Sequence, residues 1–234
     1  MKSLGIIQGW IFELNGVLYD GTAWRRWLLQ LLSKRGLHTH YDVFFRHWDL
    51  EFASQIQSGK WTFQQAIEKV LSAAGMTAAH INEITPALRS KRKCLAKEQR
   101  PLPGVAQMLK FLAASGYQLA VLDEVDCEQG KLGEKLSRLN IASYFDFVET
   151  SCDCKGCVLC TGRFQKATSA MHLALDEVIF AGHDLQQLVA ANALGIPTVS
   201  VACPQAENVA DWHVECLPDL VSLLSALPKS RRAG

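Results

Sequence analysis

The densest set of reactive side chains in the sequence is Cys152-Asp153-Cys154-Lys155-Gly156-Cys157-Val158-Leu159-Cys160, which puts four thiols within nine residues. Thiolates at C-x-C and C-x₂-C spacing can close around one soft ion, and Gly156 and Gly162 permit the left-handed backbone angles that a tight wrap needs. Structural zinc held by Cys152, Cys154, Cys157 and Cys160 is the first reading of this pattern. Two others stay open. Cys154, Cys157 and Cys160 have the C-x₂-C-x₂-C spacing of an iron–sulfur ligand set, with Cys203-Pro204 further on, and the run also suits a thiol-rich loop that holds no metal.

The setting of those thiols is an ordinary globular chain. Of its 234 residues 49% are hydrophobic, enough to bury a full core, and the formal net charge is +1. The basic clusters Arg89 to Lys97 and Lys229 to Arg232 are local, so no chain-wide field for nucleic acid is expected. Arg89 to Lys93 reads as a solvated helix face. The opening MKSLGIIQGWIFELNG has a short apolar run interrupted by Gln8 and Glu13, with no small-residue cleavage site, and reads as a buried strand rather than a leader. No stretch approaches the roughly 20 apolar residues of a membrane span. The expectation is a cytoplasmic protein that binds neither membrane nor nucleic acid, with its eight cysteines mostly reduced.

The elements that must position any site follow from hydrophobic period. Ile6 to Leu14 is a continuous apolar run closed by Asn15-Gly16, the pattern of a central parallel strand. From Thr22 to about Lys97 the period becomes helical: Trp24, Trp27, Leu28 and Leu31 recur at three and four residues, as do Phe63, Ile67, Val70 and Leu71. The tryptophans there read as core. After Pro101-Leu102-Pro103-Gly104 the chain alternates. Helices are predicted at Val105 to Ser115, Cys127 to Leu139, Phe164 to Leu173 and Leu185 to Leu194, and strands at Gln118 to Leu122, Phe145 to Glu149, Glu177 to Ala181 and Thr198 to Val201. This is an α/β chain with a doubly wound parallel sheet, Rossmann-like, interrupted by an all-helical insert. The boundaries read as a core of residues 1–20 and 98–234 and a cap of residues 21–97.

Three strings in this order carry a resemblance. Ile11-Phe12-Glu13-Leu14-Asn15-Gly16-Val17-Leu18 looks like a strand-and-loop motif of the form Asp-x-Asp-Gly-Thr/Val-Leu. Pro101-Leu102-Pro103-Gly104-Val105 looks like the re-entry to the core. Val178-Ile179-Phe180-Ala181-Gly182-His183-Asp184, followed by Ala190 to Pro197, looks like a fourth motif and its helix. Together they resemble the haloacid dehalogenase superfamily, in the subfamily with a helical cap after the first strand. The resemblance implies one Asp as nucleophile toward a phosphoryl group and a second Asp as general acid and base. It also implies a Ser/Thr and a Lys on the phosphate, and acidic residues on Mg²⁺.

Every motif departs from that pattern. The nucleophile position is Glu13, whose extra methylene moves the carboxylate by about 1.5 Å, where misplacements near 1 Å cost on the order of a hundredfold in rate. The acid/base position is Asn15, whose amide does not shuttle protons at neutral pH. Asp123 stands where a hydroxyl would meet phosphate, and the Lys position falls near Val158, with Lys155 or Lys166 as substitutes from nearby. His183 replaces a metal-binding Asp, Gln187 a further acid, and only Asp184 keeps a carboxylate. Glu13, Asn15, His183 and Asp184 make a poor Mg²⁺ site.

The catalytic positions Glu13 and Asn15 are therefore expected to be inactive, with Asp123, Lys166, His183 and Asp184 lining the remnant pocket and a protonated His183 paired to an acid. The leading expectation is a protein that has lost phosphohydrolase activity, has a metal-rigidified cysteine loop, and binds a small molecule or protein through cleft or cap. The alternatives are a divergent phosphatase acting on a small phosphorylated substrate through Glu13, and a metal or redox sensor.

Overall fold

A computed structural model describes residues 6–57, 59–123, 131–150 and 161–226. The chain divides into two compact units, one of them Gly21–Gln99 and the other built, among the described residues, from those before and after it.

The second of these units is organised by six parallel strands: β1 (Gly9–Glu13), β2 (Gln118–Asp123), β3 (Phe147–Thr150), β4 (Val178–Gly182), β5 (Thr198–Val201) and β6 (Trp212–Val214), in the order β3-β2-β1-β4-β5-β6. The chain builds outward from β1 through β2 to β3, then crosses back to start β4 on the other side of β1. The strand order thus reverses between β1 and β4, the place where parallel sheets open a crevice at their carboxyl ends. All five residues of β1 are buried, as the uninterrupted apolar run requires of a strand covered on both faces.

The period-2 alternation of the strands sorts the core into two layers. Trp10 and Phe12 of β1 and Leu119 and Val121 of β2 point to one face. There they meet α6 (Val105–Ala114), α7 (Lys131–Arg138) and α10 (Leu217–Ala226) through Met108, Leu132, Leu136 and Leu220. Ile11, Ala120, Leu122 and Phe180 point to the other face, against α8 (Thr161–Ala170) and α9 (Leu185–Ala193) through Phe164, Ala167, Leu188 and Ala191.

Sequence period did not predict β6, because a three-residue strand, Trp-His-Val, is too short to show one. It is pinned to β5 by polar pairs: Ser200 Oγ lies 2.7 Å from His213 Nδ1, and Asp211 accepts from the Thr198 backbone at 2.9 Å and its hydroxyl at 3.1 Å. Cys203, which follows β5, accordingly sits beside the next-to-last strand of the sheet.

The unit Gly21–Gln99 has its own core. Helices α1 (Ala23–Lys34), α2 (Tyr41–His47), α4 (Phe63–Ala73) and α5 (Ala78–Glu98) enclose Leu28, Leu32, Phe45, Trp48, Ile67, Leu71, Ile84 and Leu88. A π-helical stretch, Trp48–Ala53, and the short α3 (Ser54–Gln57) link α2 to α4. Trp24 stands edge-on to Phe45, Trp48 and Phe63, and the Arg92 guanidinium lies 3.5 Å from the Phe63 ring centroid. Thr62 closes a capping box with Gln65 at the start of α4. Among the described residues no helix is long and apolar enough to cross a membrane.

Trp10 is fully buried, and among the described residues its indole N–H has no acceptor. An unsatisfied buried donor costs about 1–3 kcal/mol, which offsets the volume lost on truncation. Trp10→Phe should therefore change stability by less than about 1.5 kcal/mol, whereas Phe12→Ala on the same face should cost about 3–5 kcal/mol. Equilibrium denaturation of the two variants checks both.

Candidate functional site

The alternation that builds the core also aims the side chains at the strand tips. Glu13 shares the face of Ile11, and so turns toward α9. Glu13 is buried, 1% exposed. Oε2 accepts the backbone N–H groups of His183 at 2.6 Å and Asp184 at 2.9 Å, and Oε1 lies 3.4 Å from the Gln187 amide nitrogen. The amino end of α9 presents unpaired N–H groups and the positive end of the helix dipole, a ready-made anion cradle. The chain sets its own Glu13 carboxylate against the two amides that lead into it, and Asp184 takes the helix N–H of Gln187. Asp184 is the N-cap of α9, accepting from the Gln187 backbone at 2.9 Å, so this second carboxylate is also committed to the helix end.

Two glycines make the approach possible. A Cβ at Gly182 would lie 3.3 Å from Glu13 Oε2 and 2.6 Å from the Phe180 ring. At Gly16, where φ is +81°, a Cβ would come within 2.6 Å of the His183 ring. The Asn15-Gly16 turn therefore serves as the floor on which His183 lies. The imidazole Nδ1 is 2.9 Å from the Val201 carbonyl oxygen, a contact that requires the proton on that nitrogen.

This corrects the expected ion pair between His183 and an acid: Glu13 meets the backbone of His183, and among the described residues its ring pairs with no carboxylate. Asn15 is half-buried in the turn, bridging to Tyr19.

At the neighbouring tip the parity is opposite. Asp123 follows Leu119 and Val121 onto the α7 face, where it is 3% exposed and receives Lys135 Nζ at 3.1 Å on Oδ2. Lys135 also lies 4.3 Å from the Tyr19 ring centroid. From the opposite face Arg163 of α8, 7% exposed, donates to the Asp123 carbonyl at 2.5 Å.

Lys166, expected to reach toward the pocket, is exposed and lines an open depression with Phe147, Gly162, Gln165 and Ser169. The α8 cation that reaches the β2 tip is Arg163, because it shares the buried stripe of Phe164 and Ala167. Neither Lys135 nor Arg163 was identified from the sequence. The signal was present: Lys135 falls among Leu132, Leu136 and Leu139 on the apolar stripe of its helix, where a cation needs a buried partner.

Cys203 is a buried thiol close to these groups. Burial pushes its pKa up, and the Asp184 and Glu13 carboxylates add to the rise. The cysteine run with Cys152, Cys154, Cys157 and Cys160 lies outside the described residues. Among the described residues, no group of three or more His, Cys, Asp and Glu side chains is placed to hold a metal ion.

Two outcomes follow from these contacts. Lys135→Met leaves a buried carboxylate without its cation and should cost about 3–5 kcal/mol, with much of the loss recovered in Asp123→Asn/Lys135→Met; denaturant melts of the single and double variants measure this. Alkylation of Cys203 should accelerate only at higher pH than for an ordinary cysteine, because its raised pKa keeps the thiol protonated. The onset should move to lower pH in Glu13→Gln, as followed by mass spectrometry.

Comparison with known proteins agrees with this architecture. The profile described as haloacid dehalogenase-like hydrolase matches residues 27–201. No curated protein sequence matches the chain. Among solved structures, a Thermotoga maritima protein assigned as a β-phosphoglucomutase aligns at 17% identity with a TM-score of 0.71, covering 95% of this chain and 100% of that one. A subfamily IA hydrolase of Geobacter sulfurreducens aligns at 16% identity and TM-score 0.67, covering 96% and 100%. The L-2-haloacid dehalogenase of Xanthobacter autotrophicus aligns at 15% identity and TM-score 0.66, covering 95% and 100%. At these identities the structures establish the fold, and the profile match across most of the sequence establishes the lineage: the chain belongs to the haloacid dehalogenase-like hydrolase family.

Proposed function

We propose that this chain is a non-catalytic member of its family, whose phosphoryl-transfer site is closed by its own side chains and whose remaining role is to bind a small molecule or a protein. The observation that carries this reading is the Glu13 carboxylate, buried and spanning from β1 to the His183 and Asp184 amides. A carboxylate fixed by N–H donors is a poor nucleophile. Attack would require it to leave them, and the neighbouring Asn15 amide offers no general acid for the leaving group.

The same residues do not fit Mg²⁺, which asks for near-octahedral oxygen donors. Glu13 and Asp184 are engaged by backbone N–H groups, His183 turns its Nδ1 to Val201, and Asn15 supplies at most a neutral oxygen.

A second reading is a divergent phosphatase using Glu13 on a small phosphorylated substrate. It draws on the carboxylate retained at the strand tip and on the hydrolase and dehalogenase descriptions of structural relatives. An assay of the full chain with a generic aryl phosphate and Mg²⁺ separates the two. The expected result is no turnover above buffer; turnover that disappears in Glu13→Gln would overturn the non-catalytic reading. Returning Asp at Glu13, Asn15 and His183 together should raise the rate by about a hundredfold or more, the scale of a general acid–base contribution.

The cysteine run supports a separate proposal, zinc held by Cys152, Cys154, Cys157 and Cys160, from ligand type and spacing alone. Elemental analysis of protein purified without chelator should find stoichiometric zinc. Zinc near zero, with all four thiols titrating rapidly, ends that proposal.

A further inference from the structure

The formal charge of +1 conceals an unequal division of charge along the chain. The helical unit Gly21–Gln99 contains 12 Lys and Arg against 6 Asp and Glu, a formal +6, while the remaining residues contain 12 against 17, a formal −5. A difference of this size gives the helical unit a positive field of its own. The near-neutral value of the whole chain therefore does not argue against a nucleic-acid partner for that unit.

The cations gather on α5. Five Lys and Arg, and no Asp or Glu, stand between Glu83 and Glu98, and Glu83 is itself paired with Arg35 of α1. The buried stripe of the helix is Ile84, Thr85 and Leu88, and Arg92 packs over Phe63. Away from that stripe Arg89, Lys93 and Lys97 follow at four-residue intervals, all three exposed. Among the described residues none of them is in an ion pair. At a rise of about 1.5 Å per residue the row is about 12 Å long. Like charges four residues apart on a helix repel, and the helix dipole favours a cation only in the last turn, which accounts for Lys97 but not for Arg89 or Lys93.

The make-up of the row selects among anionic partners. A protein interface needs apolar anchors that lose water at its centre, and a helix seated in a membrane needs an apolar face. Among the described residues no large hydrophobic side chain of α5 is exposed, and Ile84 and Leu88 are enclosed in the core of their own unit. A row of bare cations suits contact by charge alone, and the phosphate backbone of nucleic acid supplies a dense line of charge for it. We infer that Arg89, Lys93 and Lys97 of α5 form a docking surface for nucleic acid, held through its phosphates without base readout. This role does not depend on whether Glu13 supports turnover.

The test is fluorescence anisotropy of a labelled DNA duplex of about 20 base pairs titrated with the full chain, at salt concentrations from about 50 to about 200 mM. Three phosphate contacts give a slope of about −2.7 in the logarithm of affinity against that of salt, so affinity should fall roughly 40-fold across the range. Each of Arg89→Gln, Lys93→Gln and Lys97→Gln should make the slope shallower by about 0.9. Glutamine forms helix about as well as lysine or arginine, so α5 is retained in these variants. Lys93→Gln/Lys97→Gln should lose binding that Lys110→Gln/Arg138→Gln, which removes two exposed cations from the other unit, keeps. The inference is overturned if the duplex is not bound at the lowest salt, if the slope is indifferent to the three substitutions, or if the two double variants lose binding equally. Binding of phosphatidylserine vesicles or polyglutamate as tightly as the duplex overturns it as well, since the row would then answer to a different anionic partner.

Discussion

A carboxylate on a residue that is 1% exposed must be met by donors, and Glu13 finds them in the two amides just before α9. That requirement shapes the site. It ties the tip of β1 to the start of the helix after β4, across the point where strand order reverses. It needs glycine at 182, since a Cβ there would crowd both Phe180 and Glu13 Oε2. The amides it engages belong to His183 and Asp184; the ring of His183 then lies over Gly16, and Asp184 is left to cap the helix. A side chain one methylene longer than aspartate thus acts as a brace between two elements.

The parity of the strands decides which groups meet. Residues of β1 and β2 alternate between the α6/α7 face and the α8/α9 face, so the tip residues Glu13 and Asp123 leave in opposite directions. One meets backbone amides and the other meets a lysine. Each buried charge is compensated locally, as burial demands, since an uncompensated ion in a low-dielectric interior costs several kcal/mol. The raised pKa of Cys203 belongs to the same field, set first by desolvation and then by Asp184 and Glu13.

The helical unit rests on a different balance. Its core is rich in aromatic rings arranged edge to face, and its cations lie on those rings rather than in the interior: Arg92 over Phe63, and Arg25 over Phe45 while bound through both terminal nitrogens to Asp49. Such contacts let arginine cover apolar surface while its charge stays partly hydrated. The basic run from Arg89 to Lys93 is accordingly part solvated face and part packing, with Arg92 the member that packs.

By itself the sequence determined the class of fold. The apolar run of β1, the helical period of the insert and the alternation after Pro101 are local patterns, and burial of a strand on both faces or a helix on one leaves its mark residue by residue. It also determined which chemistry was in doubt, because Glu13, Asn15 and His183 can be read by type alone. Tertiary structure alone decided the partners. Lys135 and Arg163 lie twelve and forty residues from Asp123, and Glu13 lies 170 from the amide it accepts. No local period encodes such separations. They are fixed by strand register and by the face each tip residue inherits, and these exist only once the sheet has formed.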